Sequence, residues 1–235
     1  MATAAIDHGH GHDAHGHGHP PTSTGLDHKK VAIWAFIGSE CMLFASLIST
    51  YMIYKGRSVV GPYPHEACPA GPPPGCSVPR PAILDIPVTS ASTFVLLMSS
   101  LAMVLALAAV EEKDTPIPAN AGRWDRALRS SKLWLFVTAF LGLTFLGFQA
   151  FEFTSFVREG LTIRTNLFGS TFFTLTGFHG AHVAAGVIWL STLLAIDYKR
   201  GLRPRDALNV DLCALYWHFV DVVWIAIFTL VYLIQ

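Results

Sequence analysis

Seven polar side chains interrupt stretches that are otherwise apolar: Glu40, Gln149, Glu152, His179, His182, His218 and Asp221. Six of them form pairs separated by three residues, Gln149 with Glu152, His179 with His182, and His218 with Asp221. On a helix that spacing puts both members of a pair on one face. Carboxylates and imidazoles so placed could ligate a metal or haem, or could bond across to another helix. Helical bundles build di-iron centres from duplicated Glu-x-x-His pairs, whereas this chain offers Gln-x-x-Glu, His-x-x-His and His-x-x-Asp. Two histidines on one face cannot clamp both sides of one haem. The expectation is therefore no metal within the apolar segments, and polar pairs that tie helices together and fix their register, each worth about 1 kcal/mol. Glu40 stands alone in its apolar run. An ionisable group there costs several kcal/mol unless it is paired, protonated or beside water.

Two other groups carry reactive side chains. The first thirty residues contain HGHGHDAHGHGH and hold seven of the eleven histidines, His8, His10, His12, His15, His17, His19 and His28. Closely spaced imidazoles can hold zinc, copper or nickel; as a low-complexity segment the same stretch reads equally as a solvated, disordered head over residues 1–30. It has no apolar core of the kind a secretory signal requires. Cys68 and Cys76 lie in a segment rich in proline and glycine and either form a local disulfide or remain free thiols, since sequence spacing does not fix the geometry of a bridge. Cys41 and Cys213 read as small packing residues. The absence of any Cys-x-x-Cys leaves a zinc ribbon, a cysteine-held cluster and a covalent c-type haem unsupported.

The elements that must position these groups follow from length and hydropathy. The chain has 235 residues, of which 52% are hydrophobic and only 14% charged, with a mean hydropathy of +0.45. Crossing a bilayer as a helix takes roughly 20 mostly apolar residues, and five runs qualify: 31–54, 88–110, 133–156, 168–196 and 212–234. They lack the alternation of a membrane β-barrel, and helices satisfy their own backbone hydrogen bonds in lipid. The expected fold is all-α, an integral membrane bundle of five transmembrane helices over 31–235, with a Pro/Gly-rich loop at 55–87. Trp34, Trp134 and Trp189 suit interfacial anchoring. Gly177, Gly180, Ala181, Ala184, Ala185 and Gly186 give the fourth helix a surface that other backbones can approach closely.

Basic residues favour the cytoplasmic side. Eleven of the Lys and Arg residues fall in the head and the second and fourth loops, against five in the first and third loops. The N-terminus is thus expected in the cytoplasm and the C-terminus outside, with the Cys68/Cys76 loop outside as well. A formal net charge of zero argues against nucleic acid as a partner.

The stretch FGSTFFTLTGFHGAHVAAGVIWL at 168–190, followed by YWHFVDVVW at 216–224, resembles the last two helices of cytochrome c oxidase subunit III. LGLTFLGFQAFEF at 141–153, FIGSECMLFASL at 36–47 and LDIPVTSASTFVLLMSS at 84–100 resemble the preceding helices in family order. The resemblance implies an accessory subunit of a bacterial haem-copper oxidase in the inner membrane. Such a subunit binds no redox cofactor of its own and packs against catalytic subunit I, which holds haem and copper, among the other subunits. By the same resemblance it supports proton uptake in that neighbour and protects it during turnover. Glu40 matches the family's carbodiimide-reactive carboxyl, and hydrocarbon surroundings favour the neutral form of a carboxyl. Gln149, Glu152, His179, His182, His218 and Asp221 match its structural contacts between helices. The chain departs from the seven-helix form by beginning where that form's third helix would, which leaves lipid binding open. Quinol oxidase subunit III is the alternative within the family, and a stand-alone transporter or metal-handling membrane protein the alternative outside it.

Overall fold

The computed structural model describes residues 27–58, 61–62, 84–116, 122 and 127–234. The head histidines His8, His10, His12, His15, His17 and His19, together with Cys68 and Cys76, lie outside the described residues. Five long helices account for most of the described chain: α1 (His28–Tyr54), α2 (Ile86–Glu111), α3 (Ser131–Arg158), α4 (Leu167–Arg200) and α5 (Ala207–Phe228), the last running on into a π-turn at Thr229–Leu233. Each is long and apolar enough to cross a membrane, and no strand occurs among the described residues.

The helices begin where polar caps sit, not where the apolar runs begin. Asp27 accepts from the Lys29 amide at 2.8 Å and starts α1 at His28, three residues ahead of the run. Asp85 caps α2 and Pro87 occupies its first turn, where a missing amide proton costs nothing. Asn166 caps α4 through the Gly169 amide at 2.7 Å. At its far end α4 continues to Arg200 and stops at Gly201, whose φ of +73° is a conformation glycine adopts without a steric penalty.

α2 packs on α3 and α5, and α4 also packs on α3 and α5. α1 makes its main contacts with α4 and α5, so it is not chiefly a neighbour of the helix that follows it. α1 and α5 run in the same direction, for Lys30 pairs with Asp211 at their starts and the Lys55 ammonium donates to the Ile234 carbonyl at their ends. Starts of α1, α3 and α5 define one face of the bundle, here the amino-terminal face; the opposite, carboxy-terminal face holds the end of α5.

One indole organises the interior. Trp217 on α5 is fully buried and lies against Gly142 of α3 and Gly186 of α4, where an added Cβ would stand 2.6 and 2.8 Å from its ring. Its Nε1 donates to Ser99 Oγ of α2 at 2.9 Å. The glycines admit the ring, and the hydroxyl satisfies the one polar atom that a buried tryptophan must place.

Candidate functional site

Glu40 and His182 meet between α1 and α4, with Oε2 and Nε2 3.1 Å apart. Their side chains are 17% and 15% exposed, so the pair sits at the edge of the bundle. The other ring nitrogen, Nδ1, lies 2.7 Å from the Phe178 carbonyl. A carbonyl only accepts, so Nδ1 carries a proton and Nε2 is left to face Glu40. The pair then shares one further proton, either as a neutral carboxyl donating to a neutral imidazole or as a carboxylate accepting from an imidazolium. Phe44, one turn along α1, meets the His182 ring edge-on with centroids 5.0 Å apart, and Tyr216 of α5 donates its hydroxyl to the His182 carbonyl at 3.0 Å.

His179 departs from the expected hydrogen bond across helices. Its side chain is wholly buried, and neither ring nitrogen has a hydrogen-bond partner among the described residues. Aromatic rings surround it instead: Trp224 stacks on it at 4.8 Å and Phe145 meets it edge-on at 5.8 Å. Asp221 departs in the same way, with both carboxyl oxygens unpartnered among the described residues. Gln149, Glu152 and His218 each reach another helix. Gln149 Nε2 donates to the Thr176 carbonyl of α4 at 2.7 Å, and Gly180 makes room for it, since a Cβ there would stand 2.6 Å from Gln149 Oε1. Glu152 Oε1 accepts from Thr89 of α2 at 2.7 Å and from Tyr232 at the end of α5 at 3.2 Å. His218 Nδ1 lies 2.7 Å from Ser100 Oγ.

The hydroxyl partners on α2 form a ladder along its seam with α5: Thr89 to Tyr232 through Glu152, Thr93 to Trp224, Ser99 to Trp217 and Ser100 to His218. At the carboxy-terminal face Glu152 also lines an open cavity of about 390 Å³ together with Asp85, Ser155 and Glu159.

Sequence reasoning missed Asp197, which is completely buried near the end of α4. It accepts from the Ser131 hydroxyl at 2.6 Å and the Leu202 amide at 2.8 Å, and pairs with Lys113 at 3.4 Å. One carboxylate thus joins the end of α2, the start of α3 and the turn after α4. The signal available was an acid followed within four residues by a glycine, which turns the chain back over it.

Among the described residues no three His, Cys, Asp or Glu side chains gather as a metal would need. The donors among them are dispersed along different seams. A sequence model of the family described as cytochrome c oxidase subunit III matches residues 10–235. The chain belongs to the cytochrome c oxidase subunit III family. Cytochrome c oxidase subunit 3 of Bacillus sp. strain PS3 is 37% identical to it over 206 residues, 88% of this chain and 86% of the relative. Quinol oxidase subunit 3 of Bacillus subtilis strain 168 is 33% identical, over 86% of this chain and 85% of the relative. Cytochrome bo(3) ubiquinol oxidase subunit 3 of Pseudomonas aeruginosa is 32% identical, over 97% and 90%. As a member of the subunit III family of haem-copper respiratory oxidases with five helices suited to crossing a bilayer, this is a multi-pass membrane protein.

Proposed function

We propose that this subunit III is a non-catalytic component of a bacterial respiratory oxidase that passes electrons from cytochrome c to oxygen. It lies in the cytoplasmic membrane with its head inside and its C-terminus outside, associated with the other oxidase subunits. Haem and copper belong to catalytic subunit I, which this chain braces and whose proton uptake it supports. The observation that carries the reading is how the potential ligands are used: His182 on Glu40, His218 on Ser100, and Glu152 on Thr89 and Tyr232. These groups hold the chain's own helices in register, which suits a rigid neighbour more than a redox centre.

The test is removal of the subunit from the assembled complex. Haem bands and initial oxygen reduction should stay near normal, while activity should decay faster with the number of turnovers, most of all at alkaline pH where protons are scarce. Loss of the haem bands would reject the accessory role, and undiminished durability would reject the protective one. A quinol oxidase is the second reading, favoured by relatives of that name at 32–33% identity. Oxidation of reduced cytochrome c by the purified complex, with no quinol oxidation, separates the two.

A further inference from the structure

On the outer surfaces of α1, α3 and α4 the exposed hydroxyls of Ser39, Thr50, Thr154 and Thr192 close on their own helix. Each donates to a carbonyl three or four residues earlier, so lipid meets no unpaired donor at those positions. His218 of α5 breaks the pattern. Its side chain is half-buried and its Nδ1 lies 2.7 Å from Ser100 Oγ of α2. Nε2 has no hydrogen bond or ion pair among the described residues, yet it is not sealed inside the bundle as the ring nitrogens of His179 are. One nitrogen thus turns inward to α2 and the other outward. In every protonation state a ring nitrogen either donates or accepts, and lipid tails offer it nothing. His218 stands eleven residues from the start of α5 and fifteen from Leu233, and Ser100 fourteen from the start of α2 and eleven from its end. At about 1.5 Å per residue, each is within about 3 Å of the middle of its span.

We propose that the outward face of the α2–α5 seam is where another subunit of the oxidase docks, through a membrane-spanning helix that is apolar apart from one hydrogen-bonding group set against His218 Nε2. The inference rests on the reading of this chain as an oxidase subunit and adds to it the face and the anchor. On α2, Leu97, Leu101 and Val104 stand out from the bundle around Ser100, and on α5 Val222 and Ile225 follow His218 by one and two turns; all five are 41–63% exposed. Such side chains suit a helix and lipid equally, so the imidazole is what distinguishes the two. Water at either membrane surface is about 15 Å from mid-span, beyond the reach of a side chain as short as histidine. An ionisable group left facing hydrocarbon is costly, and a docked helix with a polar group at that depth removes the cost.

Photo-crosslinking in the purified oxidase complex tests the face. Benzoylphenylalanine placed at Leu101 or at Val222, both outside the packed interior, should on irradiation join this chain to another oxidase subunit, identified by its peptides. Adducts with lipid alone, or between two copies of this chain, would overturn the docking face while leaving the oxidase reading intact. Absence of any other oxidase subunit from the purified complex would reject that reading, and this face with it. Detergent washing tests the anchor. His218→Phe removes both ring nitrogens, whereas Ser100→Ala removes only the bond inside the bundle, so His218→Phe should release the subunit from the complex at a lower detergent concentration than Ser100→Ala. Equal release would overturn the anchor, and should His218→Phe fail to insert, the crosslinks decide.

Discussion

Substituting Asp197 should separate the value of a buried carboxylate from that of the ion pair it makes. The carboxylate is fully buried, and its two short hydrogen bonds come from Ser131 and the Leu202 amide. Its cation, Lys113, is 35% exposed and stands 3.4 Å away. Asp197→Ala strands a buried hydroxyl and a buried amide as well as the pair, a loss of about 3–5 kcal/mol. Asp197→Asn keeps an acceptor for the Leu202 amide and should cost about 1–2 kcal/mol. Lys113→Met removes an ammonium screened by water, and should cost about 1 kcal/mol or less. Unfolding of the purified subunit in mixed detergent micelles, followed by circular dichroism, should therefore rank Ala as most damaging, then Asn, then the lysine variant. If Lys113→Met proved as damaging as Asp197→Ala, the ion pair and not the hydrogen-bonded cap would hold this corner, and the reasoning would fail.

Gly142→Ala drives a methyl to 2.6 Å from the Trp217 ring and should cost about 1–3 kcal/mol by overpacking; in a Trp217→Phe background most of that cost should vanish, and strictly additive losses in a double-mutant cycle would deny the contact. Hydrophobic carbodiimide should modify Glu40, because the reagent needs the carboxyl proton that the His182 pair can supply, and mass mapping that finds adducts only on loop carboxylates would reject this. Burial holds the Lys55 ammonium below its usual value of 10.5. The folded state then binds fewer protons than the unfolded one in the window just below 10.5, so stability gains from this group as pH rises through it, and amine acylation at Lys55 should reach half-maximum at lower pH than at a free lysine; an equal or higher midpoint would contradict the burial. A membrane-impermeant thiol reagent applied to intact cells after mild reduction should reach Cys68 and Cys76, whereas protection until permeabilisation would invert the proposed topology.

The five helices were legible because lipid-length apolar runs leave few alternatives, and the family because motifs such as FHGAHV and WHFVD are dense. The members of the polar pairs were legible too, through their three-residue spacing. Their partners were not. Spacing places Gln149 and Glu152 on one face of α3, yet the first reaches a backbone carbonyl of α4 and the second a threonine and a tyrosine on two other helices. His179 and His182 likewise diverge, one into aromatic rings and the other to Glu40. A one-dimensional pattern fixes a direction around one axis but not which helix stands there. Asp197 escaped notice because an acid beside Tyr198, Lys199 and Arg200 reads as a solvated helix end; only the turn at Gly201 brings an amide back over it.

The attachment of α1 to α4 and α5 has a consequence for biosynthesis. Chains are made from the N-terminus, so the first helix enters the bilayer well before the two helices it will rest against exist. Until α4 and α5 emerge, it must persist in lipid as a solitary span, with Glu40 deprived of His182. Its outer surface, with Trp34, Met42 and Ile53 all exposed, is compatible with that wait, but its carboxyl is not unless it is neutral. Emergence of α4 brings His182 to Glu40 and α5 then completes the contact, so a ribosome stalled before residue 207 would leave α1 without one of its two principal neighbours and open to membrane quality control.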